Sequence, residues 1–284
     1  MSTLTTTAGV GGLLPADYGS LIVQPVTAAA VATQVANTVT TGSHEFHVPV
    51  VVEDAGAAWV AEGAEIPADD AAFAEVVVVP AKLAGLTIIS RELAEDSSPA
   101  AAEVVGQSLA RDMARKLDAA FFGNLSAPAP AGLGSLPTSG AGAVSTVDAG
   151  AAWADVDPFA EAISKAEQTG ATLRAFVAHP DDALALSTLK QATGSNVPLL
   201  GADPTVATRR TILGAPLFTS PAVPAGVVYG IPADRVMVVM RDDVRLEVSR
   251  EAYFSSDRVA VKATMRVGFA YPHPAAVVRV ALSA

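Results

Sequence analysis

The 284-residue sequence predicts an α+β protein with one long helix and at least seven strands. Three observations support this fold class. Residues 98–122 carry an apolar stripe at helical spacing, and several short runs elsewhere are rich in the β-branched residues that favour strands. Hydrophobic residues make up 51% of the chain, which is enough for a buried core.

The first 42 residues predict an extended arm. Gly9, Gly12 and Pro15 interrupt any early element, and at most one short helix is expected around Asp17–Val23. Because the arm shows no apolar period with which to bury itself, we expect it to lie on another surface.

Residues 43–89 predict a long hairpin. Strand-like runs occur at 46–52, 58–61, 73–79 and 82–90, and the stretch 63–72 is acidic, contains proline and shows no apolar pattern. Because two strands alone form an unstable hairpin, we expect this one to rest on another surface.

The long helix is predicted over residues 98–122. Ser98 followed by Pro99 is a typical helix start, and Gly123 is a typical stop. Between them, apolar residues recur every four positions and form one stripe: Val105, Leu109, Met113, Leu117 and Phe121.

The second half of the chain mixes helices and strands. Residues 125–150 predict a loop between subdomains, and helices follow from Asp157 to Gly170 and from Pro180 to Leu189. Strands are predicted at 174–178, near 212–220, and at 236–241, 244–248, 258–269 and 275–282. The doublet Asp242-Asp243 is interpreted as a tight turn between two of these strands.

Charge is distributed unevenly along the sequence. The net charge is −11, and residues 1–81 contain nine acidic residues and no Lys or Arg. Residues 235–284 contain eight Lys or Arg against five acids. Such a chain can join the acidic part of one copy to the basic part of another. The alternative is an acidic face in contact with solvent. The net charge argues against tight binding to a phosphate backbone.

No motif for catalysis, a cofactor or a metal stands out. The sequence has no cysteine, no phosphate-binding Gly-Lys-Ser/Thr and no Gly-x-Ser-x-Gly. His44 and His47 are interpreted as ordinary strand residues, because positions three apart on a strand face opposite ways. The acidic doublets lack the spacing of a cation loop. We also expect no membrane span, because no apolar run reaches the roughly 18 residues required.

Several segments, in order, resemble the major capsid proteins of tailed bacteriophages, whose fold is shared with encapsulins and herpesvirus capsid floor domains. The resemblance covers about residues 12–281. It is carried by Ala58-Trp59-Val60-Ala61-Glu62-Gly63, Ser90-Arg91-Glu92-Leu93, Lys116-Leu117-Asp118-Ala119-Ala120-Phe121-Phe122-Gly123, Ile212-Leu213-Gly214-Ala215-Pro216 and Arg266-Val267-Gly268-Phe269.

The resemblance implies a subdivision of the chain. It consists of an N-terminal arm (1–42), an extended hairpin loop (43–89), a peripheral domain (90–149 and 235–284) with a spine helix at 98–122, and an axial domain (150–234).

The resemblance also implies a function. The chain is expected to be a structural subunit without enzymatic activity or cofactors, forming hexamers and pentamers that close into an icosahedral head. The head would enclose double-stranded DNA without specific recognition, and would assemble in the cytoplasm of a host bacterium before residing in the virion. Implied partners are other copies of the chain, a separate scaffolding protein, a portal and a decoration protein.

Two alternatives share the fold: an encapsulin compartment and a gene-transfer-agent capsid. Encapsulins are expected to begin with an amphipathic helix, whereas Thr3 to Gly9 form a poor helix sequence. An enzyme is a third alternative, for which the sequence offers no acid–base or nucleophile set.

The charge pattern predicts a contact between copies in which the hairpin docks on a neighbour. The hairpin residues are Glu53, Asp54, Trp59, Glu62, Glu65, Asp69, Asp70 and Glu75. The candidate partner residues on the neighbour are Arg111, Arg115, Arg245, Arg250, Arg258, Lys262 and Arg266.

Overall fold

The computed structural model describes residues 26, 29–53, 56, 59–61, 63, 65, 70, 72–90, 100–192, 194–202 and 209–283. Within this part of the chain the helices are α1 (Val31–Val35), α2 (Ala100–Phe122), α3 (Asp157–Gln168) and α4 (Pro180–Thr188). The strands are β1 (Asn37–Thr41), β2 (Phe46–Glu53), β3 (Ala72–Val78), β4 (Ala81–Ser90), β5 (Ser145–Asp148), β6 (Ala175–Ala178), β7 (Gly201–Ala202), β8 (Arg210–Ile212), β9 (Ala215–Thr219), β10 (Val227–Ile231), β11 (Met237–Tyr253), β12 (Arg258–Ala270) and β13 (Val278–Ala281).

The strands form three sheets. A four-stranded sheet has the order β1-β11-β12-β4, and a seven-stranded sheet has the order β5-β13-β10-β6-β9-β8-β7. The third sheet is the two-stranded antiparallel hairpin β2-β3. The predicted α+β class is therefore confirmed.

The spine helix α2 packs against the four-stranded sheet through the predicted stripe. Met113, Leu117 and Phe121 are buried in one cluster with Met265 and Val267 of β12. Burying side chains of this size stabilises the fold by about 1.5–3 kcal/mol each. The helix ends at Phe122, directly before Gly123, as the sequence predicts.

A second core fills the space between the seven-stranded sheet and the helices α3 and α4. Phe159 of α3 and Leu186 of α4 are fully buried against Phe176 of β6. The rings of Phe159 and Phe176 meet edge to face with centroids 5.3 Å apart, a favoured aromatic geometry.

The described part of the arm packs into the main core of its own subunit. Val26, Ala32 and Val35 are buried there, and β1 pairs in parallel with β11. The sequence did not predict α1, because its N-cap Ala30 supplies no capping side chain. The short helix expected at 17–23 lies outside the described residues.

Two predictions about the hairpin region are wrong. Residues 59–61 are not in a strand. The run 82–90 does not pair with the hairpin: it forms β4, which pairs with β12 along ten residues. Both runs carry apolar residues that suit a strand, but pairing with β12, far along the chain, is decided by tertiary packing.

The interpretation of Asp242-Asp243 as a turn is also wrong. The two strands predicted at 236–241 and 244–248 form one strand, β11. The doublet lies at an irregularity between Arg241 and Arg245, where four residue steps on β11 oppose two on β12. A bulge accommodates the extra residues without reversing the chain.

Two short strands, β5 and β13, lie side by side in the seven-stranded sheet. β5 lies within the stretch 125–150, interpreted as a loop, and pairs in parallel with β13. β13, the last strand, lies in the seven-stranded sheet and not with β11 and β12.

Candidate assembly surface

The base of the hairpin is packed on the rest of the subunit. Val48 and Val78, from opposite strands, are buried against Val239 and Ala270. Gly268 permits this approach, because a Cβ at that position would collide with the side chain of Val78. The hairpin is therefore anchored at one end.

The outer face of the hairpin exposes several apolar residues. Val51 and Phe73 face each other across the two strands, with 41% and 73% of their surfaces exposed. Val77 is 48% exposed, and Trp59 in the connection beyond the strands is fully exposed. Clustered exposed apolar residues are typical of surfaces that bind another molecule.

The acidic residues of the predicted contact differ in their surroundings. Glu75 is engaged within the hairpin, since its Oε1 lies 2.7 Å from Nδ1 of His47. His47 also faces Glu45, with Nε2 3.6 Å from Oε2. Glu65 and Asp70 are exposed.

Four further acids belong to the predicted contact. Asp54, Glu62 and Asp69 lie outside the described residues. For Glu53 only the backbone is described, at the end of β2.

The basic candidates on α2 are accessible. Arg111 and Arg115 are exposed, and Nη2 of Arg115 lies 3.4 Å from Oδ1 of Asp112 one turn earlier. Exposed pairs of this kind contribute about 0–1 kcal/mol, so they yield easily to a stronger partner.

The basic candidates on the C-terminal strands lie on β11 and β12. Arg258 is exposed, whereas Nζ of Lys262 lies 2.5 Å from Oε2 of Glu247 on the neighbouring strand. For Arg245 and Arg250 only the backbone is described, within β11.

A row of three cations crosses the four-stranded sheet. Lys82 of β4 lies opposite Arg266 of β12, which lies opposite Arg241 of β11. Residues directly opposite in a sheet face the same side, and like charges in that position repel. Of these three residues only Arg266 is among the partners predicted from the sequence, because strand register cannot be read from charge alone.

Two buried carboxylates have structural partners. Asp118 of α2 accepts hydrogen bonds from the backbone N–H groups of Val31 and Ala32, at 3.0 and 2.9 Å, and so caps α1. Burial raises the pKa of Asp118 above its ordinary value of 3.8. The hydrogen bonds from Ala32, Val31 and Ser220 act in the opposite direction.

The second buried carboxylate, Asp182, lies at the start of α4. It accepts hydrogen bonds from Nε1 of Trp153 and from the N–H of Gly226, both at 2.8 Å. The neighbouring Asp181 is exposed and lies in the first turn of the helix, as predicted. Trp153 and Gly226 lie in loops, so their hydrogen bonds to Asp182 connect α4 to two distant loops.

Among the residues that the structure describes, no three His, Asp or Glu side chains are grouped so as to hold a metal ion. In the same residues, no helix combines the length and apolar character needed to cross a bilayer.

A family model described as the Phage capsid family matches residues 10–282. No match was found among curated protein sequences. The fold is similar to a solved capsid of an empty GTA particle, with TM-score 0.75 and 21% identity over 91% of this chain and 90% of that one.

Two further solved structures are similar. One, from Mycobacterium phage Adephagia, has TM-score 0.72 and 17% identity over 90% of this chain and 91% of that one. The other is a virus-like particle from Pyrococcus furiosus, with TM-score 0.59 and 11% identity over 94% of this chain and 98% of that one.

Proposed function

Because the chain belongs to the phage capsid family and is a capsid shell subunit, we propose that it builds the head of a tailed phage. Copies form hexamers and pentamers that close into an icosahedral shell around double-stranded DNA. The observation that carries this proposal is the hairpin. It is anchored at its base and presents Val51, Phe73 and Trp59 to solvent, a surface that a repeated neighbour covers.

The shell encloses DNA without recognising it. The net charge of −11 opposes tight contact with phosphates, so the subunit supplies a container rather than a binding site. Tight, salt-sensitive binding of purified subunits to random duplex DNA would contradict this.

The subunit has a structural role and no catalysis of its own. Its buried carboxylates, Asp118 and Asp182, accept hydrogen bonds from structural donors rather than facing a substrate pocket. Assembly in the host cytoplasm, with a separate scaffolding protein, a portal and a decoration protein, completes the proposal.

Negative-stain microscopy of the purified protein tests the proposal. Large closed shells support a phage head, and shells of encapsulin size support the encapsulin alternative. Small discrete oligomers contradict both. The similarity to the capsid of a GTA particle favours a second candidate, a gene-transfer-agent capsid. Sequencing of the enclosed DNA distinguishes it from a phage head.

Within the shell, we propose that the acidic hairpin of one copy docks on basic residues of the next. This contact is supported by the exposure of five of these residues in the single subunit: Glu65, Asp70, Arg111, Arg115 and Arg258. Charged hydrogen bonds that become partly desolvated contribute about 1.5–3 kcal/mol each, and a shell repeats them many times.

Charge reversal tests the docking contact. Glu62→Arg is expected to block assembly, and a matching Arg→Glu on the neighbour's surface is expected to restore it. If Glu62→Arg particles assemble with wild-type thermal and salt stability, Glu62 is not in the contact. If reversals of the other six hairpin acids are also silent, the docking proposal fails.

A further inference from the structure

A cleft of about 360 Å³ lies between the edge strand β4, the C-terminal half of α2 and the loop 125–130. Its lining is apolar except for Lys82, Lys116 and Ser126. Neither lysine has an ion pair or a side-chain hydrogen bond to any residue that the structure describes. The cleft therefore combines an apolar floor with two lysines in its lining.

The connection beyond the hairpin strands carries matching chemistry. Trp59 is fully exposed and Val60 is 36% exposed. Glu65, six residues after Trp59, is exposed as well. Tryptophan is among the residues enriched where a few side chains, packed in a partner's pocket, contribute most of the binding free energy of an interface. Sites of about 300–1,000 Å³ accept small molecules, so this cleft has room for one indole.

In its own subunit Trp59 does not fill the cleft, because its side chain is fully exposed. Strand β3 runs from Ala72 to Val78, and six steps of about 3.4 Å separate these ends by roughly 20 Å. The cleft begins at Ala81, just past the base, and pivoting the hairpin about its base leaves this separation unchanged. The six residues from Glu53 to Trp59 would span it only when fully extended.

Charge favours a second copy of the chain as the occupant. Residues 1–81 contain nine acids and no Lys or Arg, whereas the cleft presents Lys82 and Lys116. Lys82 also belongs to the cationic row with Arg266 and Arg241. An indole beside a lysine gains a cation–π contact in addition to its burial.

We propose that the Trp59 indole of one copy inserts into this cleft on a second copy, where Glu65 lies near Lys82 and Lys116. The inference rests on the proposed function, because it requires copies held side by side in a shell. It differs from the docking contact above in its receptor, which is the cleft and not the basic residues proposed on α2, β11 and β12.

Engineered disulfides test the placement directly, because the chain contains no cysteine. Val60→Cys places a thiol beside Trp59, and Ser126→Cys places one at the cleft. A disulfide forms when the two Cα atoms lie about 4.4–6.8 Å apart. Oxidised particles of the double variant are expected to give a ladder of linked chains on a non-reducing gel. Mixed particles of the two single variants are expected to give linked dimers.

The matched control is Val60→Cys with Leu184→Cys, since Leu184 is 60% exposed on α4, away from the cleft. A ladder with Ser126→Cys and none with Leu184→Cys supports the proposal. Intact particles without a ladder, or equal ladders in both variants, overturn it. Failure of the wild type to form particles would instead contradict the proposed function.

Assembly yield provides a second measurement. Trp59→Ala is expected to raise the subunit concentration needed for half-assembly at least about tenfold, as loss of an anchor residue does. Lys116→Glu is expected to act in the same direction. The matched controls Leu184→Ala and Lys190→Glu, both exposed outside the cleft and the hairpin, are expected to change it less than about twofold. If Trp59→Ala assembles like Leu184→Ala, the proposal is wrong.

Discussion

The spine helix α2 and the hairpin β2–β3 are both long elements, but they differ in how their apolar residues are covered. The helix buries Met113, Leu117 and Phe121 within its own subunit. The hairpin buries its base and leaves Phe73 and Val51 exposed. An element whose apolar residues are buried within one copy stabilises the subunit. An element that leaves apolar residues exposed is available to stabilise an assembly.

The same substitution in the two elements gives the largest contrast. Phe121 is fully buried, with its ring 4.9 Å from that of Phe122 and 5.1 Å from that of Phe269. Phe121→Ala is expected to lower the free energy of unfolding of the unassembled subunit by about 3–5 kcal/mol. Denaturant titration measures this, and a loss under about 1 kcal/mol would contradict the packing described.

The next largest effect is expected where a loop closes on the end of α2. A Cβ at Gly132 would collide with the carbonyl oxygens of Ala120, Phe121 and Gly123. Gly132→Ala is expected to cost about 1–3 kcal/mol or more, because backbone atoms cannot rotate out of the way. Gly140→Ala is the contrasting variant: it has open space around it but φ +88°, so only backbone strain acts. If Gly132→Ala leaves the melting temperature unchanged, the loop can move away from the end of α2 and the prediction is wrong.

The third prediction concerns the attachment of the arm to α2. Asp118→Asn leaves one acceptor oxygen for the N–H groups of Val31 and Ala32, so we expect a loss of about 1–3 kcal/mol from an unsatisfied donor. Faster proteolysis within residues 26–36 would report release of the arm. Ser220→Ala, which removes the 3.5 Å contact to Asp118, is the milder control.

The pH dependence at this site has a definite sign. Because burial raises the pKa of Asp118, the folded state binds its proton more tightly than the unfolded chain. The stability linked to this proton is therefore fully present below pH 3.8 and is lost as pH rises through the folded pKa. The stability difference between wild type and Asp118→Asn should shrink over that window. A difference that grows with pH would show that the hydrogen bonds outweigh burial.

The smallest effect is expected on the hairpin. Phe73→Ala should change the stability of the unassembled subunit by less than about 0.5 kcal/mol, because the ring is 73% exposed. The measurement is the same denaturant titration used for Phe121→Ala. A loss approaching that of Phe121→Ala would mean that the outer face of the hairpin is covered within one copy, and the comparison would fail.

Local sequence determined the elements whose signals are local. The stripe from Leu109 to Phe121 and the stop at Gly123 specified the end and the buried face of α2, since helical periodicity is a property of neighbouring residues. The start of α4 at Pro180, with Asp181 in its first turn, was equally legible. The motifs that resemble the capsid family predicted the capsid fold.

Tertiary structure alone decided the features that depend on distant partners. The helix α1 is capped by Asp118, which lies 86 positions from Ala32 in the sequence. No local sequence pattern therefore predicts this helix. Strand β4 pairs with β12, and only that register aligns Lys82 with Arg266 and Arg241. A strand carries its side-chain alternation in its own sequence, but its partner and register are set by which buried faces fit together in three dimensions.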